Sequence, residues 1–475
     1  MTPPEPPATE PERPPPAAAL PPPPQLSVEQ RRRRGRTLRE TLPRRTHAAW
    51  RAPADRRSPV DVLEAQDAGR LPDLVPLRYG RMLASPLAFF RGAAAVMAMD
   101  LAGLPKTPLT VQLCGDAHLM NFGVFASPER ALLFDINDFD ETLPGPFEWD
   151  LKRLAASFVL AGRANGFPPA ECRAAARAAA TAYRGAIQRA AGMGTLAVWY
   201  AHVTVDEVTS VLRSARARRT VARAIRRARS HTSLRALDTL TRVVDGRRVI
   251  VDDPPLIEHL PAESDGADIA DLVRRGLAAY RRSLAPDRRH LFDHLRPLDL
   301  ARKVVGVGSV GTRCYILVLQ GRASDDPLFL QIKEARPSVL EPYLGRSPFR
   351  DHGERVVVGQ RWMQAASDIF LGWFRGPEGR HYYVRQLEDL KGSLAVESVV
   401  PTGLLLYAQV CGRTLARAHA RSGDSLQIAG YLGASPRFDE ALASFGEAYA
   451  DQTERDHREL VAAHASGRIR AVLGR

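Results

Sequence analysis

Cys114-Gly115-Asp116-Ala117-His118-Leu119-Met120-Asn121 and, beyond it, Asn137-Asp138-Phe139-Asp140 form the stretch on which the reading of this chain turns. Phosphoryl transfer demands little covalent chemistry of a protein. It needs carboxylate and amide oxygens to hold Mg²⁺, a carboxylate beside the nucleophile, and cations or amide donors around the phosphates. Asp116, Asn121 and Asp138 are residues of the first two kinds. Asp116 and Asn121 stand five positions apart on one loop, close enough to address a single site. The apolar run Leu109–Leu113 precedes the loop as a short strand. Two more runs follow, Asn121–Phe125 and Ala131–Ile136, separated by the turn-prone Ser127-Pro128-Glu129-Arg130. This pattern predicts a loop and then a hairpin, and the hairpin returns Asp138 beside Asn121.

Outward from this stretch, Leu74–Leu104 predicts a loop and then helix, with Arg78, Arg81 and Arg91 set among apolar positions where they would face an anion. Before it, Met1–Leu26 holds twelve prolines and almost no large apolar residue; such a segment buries too little surface to offset ordering. The expectation is a disordered tail over residues 1–45. After Pro144-Gly145-Pro146, a helix is predicted from Leu151, Leu154, Ala155 and Phe158, and Ala- and Arg-rich segments extend helical character through a lobe spanning residues 46–300.

The pattern changes at Lys303. Gly306-Val307-Gly308-Ser309-Val310-Gly311 lies between β-like runs, Cys314–Leu319 follows, and Leu328–Lys333 supplies a second strand. A glycine segment between two strands differs from a dinucleotide-binding turn, where a helix should follow. It matches a loop that covers nucleotide phosphates, with Lys333 on the next strand in reach of them. Lys333 is one of only five Lys among 67 basic residues, and a compact ammonium retained in an Arg-biased chain hints at a specific need. Glu354, on a predicted helix Glu354–Gln364, is the leading partner for Lys333, with Glu341 as competitor. Short aromatic strands at Ile369–Phe374 and Tyr382–Leu387 complete a small α+β unit over residues 301–400. Within 401–475, Leu404, Ala408, Cys411, Leu415 and Ala418 recur at helical spacing over Gly403–Ala420, and further helices pack on the first lobe.

Gly115-Asp116-x-His118-x-x-Asn121, then Asp138-Phe139-Asp140, then Trp149-Asp150-Leu151, resembles the signature of aminoglycoside and choline kinase-type phosphotransferases. The resemblance implies a catalytic base at Asp116, Mg²⁺ ligands at Asn121 and Asp138, a brace for the catalytic loop at Asp150, and a structural His118. With another register, Asp140 or Asp135 would replace Asp138 as ligand. Cys114 in place of the usual His, and Asp140 in place of a Gly, are departures from the pattern. A longer likeness runs through Arg78–Met82, Phe90-Arg91-Gly92, Asn137–Thr142, Trp149–Leu154, Gly359-Gln360-Arg361 and Asp368–Trp373. Over these residues the chain resembles a bacterial family of unknown function, domain of unknown function 2252. That likeness brings no established activity.

The combined expectation is an α+β, protein kinase-like, two-lobed fold that is circularly permuted, because Asp116 precedes Lys333, the reverse of the ordinary order. The helical catalytic lobe comes first and the small β-rich nucleotide lobe later. Catalytic residues would be Asp116, Asp138 and Lys333. ATP would meet Gly306, Gly308, Ser309, Gly311, Lys333 and Glu354, and Mg²⁺ would meet Asn121, Asp138 and Asp140. The expected partners are a nucleotide and a small-molecule or protein acceptor. The competing readings are a metal-dependent phosphoesterase, a weakly catalytic pseudokinase-like nucleotide binder, and a nucleotidyl-transferring protein.

Composition bounds these readings. A chain of 475 residues with 45% apolar content can bury a sizeable core. No run of eighteen apolar residues occurs, and Gly92–Leu104 is broken by Asp100, so no membrane partner and a cytoplasmic location are expected. Cys114, Cys172, Cys314 and Cys411 form no Cys-x-x-Cys pair and read as reduced thiols. The net charge of +14 invites a nucleic-acid partner through Arg31–Arg34 or Arg213–Arg229, but the Arg richness runs through the whole chain, and a solvated face is the plainer reading.

Overall fold

Ser27 opens the first helix of the computed structural model. Its hydroxyl accepts from the Gln30 backbone N–H, and the Gln30 side chain accepts from the Ser27 N–H, a reciprocal cap that starts the helix Val28–Thr41. The structure describes residues 26–474 apart from 211–218, 220–221, 224, 227–232, 260–266, 377–378, 388–391 and 393–394. Residues 1–25 of the stretch expected as a tail lie outside the described residues, whereas residues 28–41 are helical. The reason is packing against a distant partner: Gly35 lies against the backbone of Gln427 and Tyr431, and Arg31 pairs with Asp424 at 2.8 Å. Arg32 donates to the Ala191 carbonyl, so two arginines of the Arg31–Arg34 run are spent inside the fold. The run Arg213–Arg229 lies largely outside the described residues.

Much of the first half, together with the last helices of the chain, is helical around one large core. The helices Glu148–Ala164, Pro169–Ala190, Pro401–Ser422 and Arg437–Ala465 surround Phe147, Phe158, Tyr183, Leu415 and Phe445, all fully buried. Pro401–Ser422 approaches Pro169–Ala190 so closely that a Cβ at Gly412 would sit 2.1 Å from the Ala179 carbonyl oxygen; only glycine fits there. The hairpin is present, with Phe122–Ala126 antiparallel to Leu132–Ile136 and Arg130 in the left-handed region at the turn (φ 66°). The strand Thr110–Leu113 pairs with Leu143–Pro146. The second of these strands runs through Pro144-Gly145-Pro146, which in the sequence reads only as a break.

The second half is built on a six-stranded antiparallel sheet. Its order is Gly372–Arg375, His381–Gln386, Pro327–Ala335, Cys314–Gln320, Arg296–Lys303 and Ile257–Glu258. Alternate residues point to two different cores. Leu317, Leu319, Leu330 and Ile332 face Tyr280 and Phe374, whereas Ile316, Val318 and Phe329 face Leu237, Ile250 and Ile257. The unit therefore draws in the hairpin Thr241–Val244/Arg247–Ile250 and the helix Ala267–Ser283. The boundary expected at residue 300 moves back to about Ser233. Short apolar stretches in an Arg-rich background concealed these strands. The fold is mixed α+β, as expected.

Among the described residues no helix is long and apolar enough to cross a membrane. All four cysteines are free and buried.

Candidate active site

Gly115 turns the chain at the entrance to the Asp116 loop with φ +82°, and a Cβ there would strike the Glu141 carbonyl oxygen at 2.3 Å; any other residue would be strained and blocked. The loop is held from behind by Asp150. Its carboxylate accepts the backbone N–H groups of Cys114 (2.8 Å) and Gly115 (3.1 Å) and lies 3.2 Å from His419 Nε2. Asp150 sits in the first turn of Glu148–Ala164, where a carboxylate also suits the helix dipole. One turn on, Arg153 Nε donates to Asp116 Oδ1 at 2.5 Å, and its other arm donates to the Phe90 carbonyl. Burial pushes the Asp116 carboxyl above the usual aspartate range, against the pull of Arg153 and Arg91. Asn121 Nδ2 donates to the Asp116 carbonyl at 2.8 Å, which fixes the amide and leaves its oxygen as the acceptor end. Burial, with Arg153 and Arg91 nearby, drives His118 well below the ordinary imidazole value, so its ring is neutral at pH 7.

The hairpin closes as the sequence predicts. Asn137 N–H donates to the Asn121 carbonyl at 2.8 Å, and Asp138 follows directly. The Asp140 N–H donates to Asp138 Oδ1 at 3.1 Å, Arg385 donates to the Asn137 carbonyl, and Arg355 donates to the carbonyls of Asp140, Thr142 and Arg336. Asp140 itself accepts from the Lys333 ammonium, from Tyr383 Oη at 2.8 Å and from Ser309 Oγ at 3.2 Å. The two carboxyls are thereby pushed apart. Burial and the adjacent Asp140 charge raise Asp138, against Lys333 and Arg385. Burial also acts to raise Asp140, but the Lys333 charge and the hydrogen bonds from Lys333 and Tyr383 outweigh it and hold this carboxyl low. Lys333 is held well above its ordinary value because Asp140, Tyr383 and Asp138 outweigh its own burial.

Above these loops lies a cavity of about 330 Å³, large enough for a small ligand. Asp116, His118, Asn121, Asp138 and Asp140 line one side, and Gly306, Val307, Gly308, Ser309 and Thr312 line another. The glycine segment follows directly on the strand Arg296–Lys303 and turns at Gly306 (φ +63°). It is tied down by Arg81, which donates to the Gly306 carbonyl, by Arg70 to Val310, and by Leu71 N–H to Gly311.

Most of the residues singled out in the sequence therefore meet. Asp116, Asn121, Asp138, Asp140, Gly306, Gly308 and Ser309 share the cavity, and Lys333 pairs with the Asp140 that lines it. Gly311 lies in the same turn (φ +88°), packed on the Arg70 side chain rather than on the cavity. Glu354 does not join them. It stands in the first turn of His352–Met363, its N–H capped by Asp351, and Lys333 pairs with Asp140 instead. Glu341 is also elsewhere, accepting from Ser338 N–H and lying 3.7 Å from His352. Asp135 is sealed away, accepting from Arg417 and from Ala365 N–H. Arg153, Arg355, Tyr383 and His419 complete the support, and their partners could not be read from the sequence. Their work is to hold other side chains and carbonyls, which leaves no pattern of spacing. Of the three arginines before the loop, Arg78 is consumed by Asp67 and Gln66, while Arg91 lines the cavity.

The donor set suits Mg²⁺, which takes one or two carboxylates and fills its remaining positions with water and phosphate oxygens. Among the described residues no group of three His, Cys, Asp or Glu side chains is arranged as an all-protein metal cage. The cavity also holds two buried guanidinium nitrogens with no hydrogen-bond partner, Arg70 Nε and Arg91 Nε, as an anion site would.

Fold and site define an α+β protein whose acidic catalytic-type loop and glycine segment face one cavity. The chain belongs to the family described as uncharacterised protein conserved in bacteria (DUF2252), which matches residues 70–463. No curated protein and no solved structure matches the chain.

Proposed function

We propose that this protein is an ATP-dependent phosphotransferase with a circularly permuted, kinase-like arrangement, acting on a small-molecule or protein acceptor. One observation carries the reading: the loops at Asp116 and Asp138 share a cavity with the segment Gly306–Ser309, and the buried Lys333 pairs with Asp140, which lines that cavity. These parts lie far apart in sequence, and packing has no general reason to bring them together. The permutation is supported by Pro401–Ser422, which comes late in the chain yet supplies His419 to Asp150 and Arg417 to Asp135 beside the loops.

In this reading Asn121 and Asp138 hold Mg²⁺, which when bound neutralises phosphate charge. Asp116, oriented by Arg153, accepts the acceptor's proton as the new P–O bond forms and the bond to the departing ADP breaks. Lys333 and the backbone of Gly306–Ser309 hold the phosphates, and Lys333 exchanges part of its contact with Asp140 for them.

The test is label transfer from ATP with Mg²⁺. Label from the γ-position should reach acceptor or water, and Asp116→Asn should abolish that transfer while leaving ATP affinity within about threefold. Label arriving from the α-position instead would establish nucleotidyl transfer, and metal binding without any affinity for ATP would defeat the proposal.

A further inference from the structure

Three arginines line the cavity, and their states differ. Arg70 donates through Nη1 to the Val310 carbonyl, while its buried Nε lacks a hydrogen-bond partner and lies 3.8 Å from Asp67. Arg336 donates to the Gln66 carbonyl. Arg91 makes no hydrogen bond or ion pair with any described residue, and its Nε is buried without a partner. A guanidinium in that condition is costly unless something else completes it. Its position is informative. Arg91 ends the helix Pro86–Gly92, its carbonyl lies 3.3 Å from the place a Cβ would occupy on Gly308, and the Asp116 carboxylate is the first charge that supports its own. It thus stands near both the glycine segment and the loop at Asp116, lining the cavity they share.

Building on the proposed nucleotide-dependent transfer, we infer that Arg91 is the seat of the terminal phosphate of Mg-ATP. Lys333 and the glycine segment hold the inner phosphates from one side, and Arg91 holds the outermost group from the other. An arginine suits this place because its planar fork matches phosphate oxygens and keeps its charge. The contribution comes from the part of the chain before the catalytic loop, outside both the glycine segment and the loops at Asp116 and Asp138.

The inference is tested without knowing the acceptor, by titrating the full-length protein with Mg-ATP and with Mg-ADP in a calorimeter. Arg91→Ala should weaken Mg-ATP about tenfold or more and leave Mg-ADP within about twofold, the loss expected for one charge-assisted contact. Arg91→Lys should fall between Arg91→Ala and the parent protein, and an unchanged melting temperature in both variants would show that the fold survives. If the parent binds Mg-ATP and Arg91→Ala weakens both nucleotides equally, or neither, this inference is overturned and the proposed function stands. If the parent binds neither nucleotide, both are overturned.

Discussion

Asp116 gives up its proton later than an ordinary aspartate because protein encloses it on most sides, and Arg153 and Arg91 only partly offset that burial. A base must be ionised to work. Turnover should therefore fall as pH drops through a value above about 4, the usual aspartate midpoint. Arg153→Met should move that limb further up, because the largest opposing charge is gone. A rate profile flat down to about pH 4 would contradict the assignment. The pair below it has its own signature. Asp140 is held low, so its contribution to stability is present above the unfolded-state pKa and lost as pH falls through the folded value. Lys333 is held high, so its contribution is present below the unfolded-state pKa and lost as pH rises through the folded value. The pair accordingly persists from mild acid to strong alkali. Lys333→Met leaves Asp140 to be buried as an unpaired charge or to take up a proton. Its deficit in melting temperature should be full at neutral pH and shrink as pH falls into the acid range where the Asp140 carboxyl takes up its proton; a deficit independent of pH would exclude this account. These residue-level roles were only partly legible. Asp116, Asn121 and Asp138 declared themselves by spacing along one short stretch. The partner of Lys333 did not, because it comes from a different part of the chain and no local pattern names it.

Among the elements, Pro401–Ser422 carries the most. Its core face was legible, since Leu404, Ala408, Cys411, Leu415 and Ala418 recur at helical spacing and all are buried. The partners of its polar residues were not, because Asp150 and Asp135 lie far from His419 and Arg417 in sequence. Asp150→Ala should leave two buried N–H groups without an acceptor, costing about 1–3 kcal/mol for each and loosening the loop at Asp116. Chemical denaturation would measure the first effect and γ-label transfer the second. Gly412→Leu should cost on the order of 1–3 kcal/mol by forcing Pro169–Ala190 away, read as a lower denaturation midpoint with unchanged slope. The strand Leu143–Pro146 shows the opposite failure of sequence reading. Two prolines argue against a strand, yet it pairs on one side only with Thr110–Leu113, where a missing N–H is tolerated.

For the molecule as a whole, the mixed α+β character was legible from the change in pattern near Lys303, while the full extent of the sheet was not. The sheet recruits Ile257–Glu258 and Ala267–Ser283 from a region that composition marks only as Arg-rich, and Val28–Thr41 is ordered by a helix that follows it by nearly the whole chain. Removing residues 1–45 should strip Arg31 from Asp424 and uncover Ser425–Leu432, lowering the melting temperature by several degrees; an unchanged transition would show that the helix is dispensable. The loop at Asp116 has the same dependence on late sequence, because its brace, Asp150, is completed by His419. During synthesis this imposes an order of events. A nascent chain still lacking Pro401–Ser422 has all its acidic loop residues outside the ribosome but nothing beneath them, so the loop can take its final shape only once nearly the entire polypeptide has emerged.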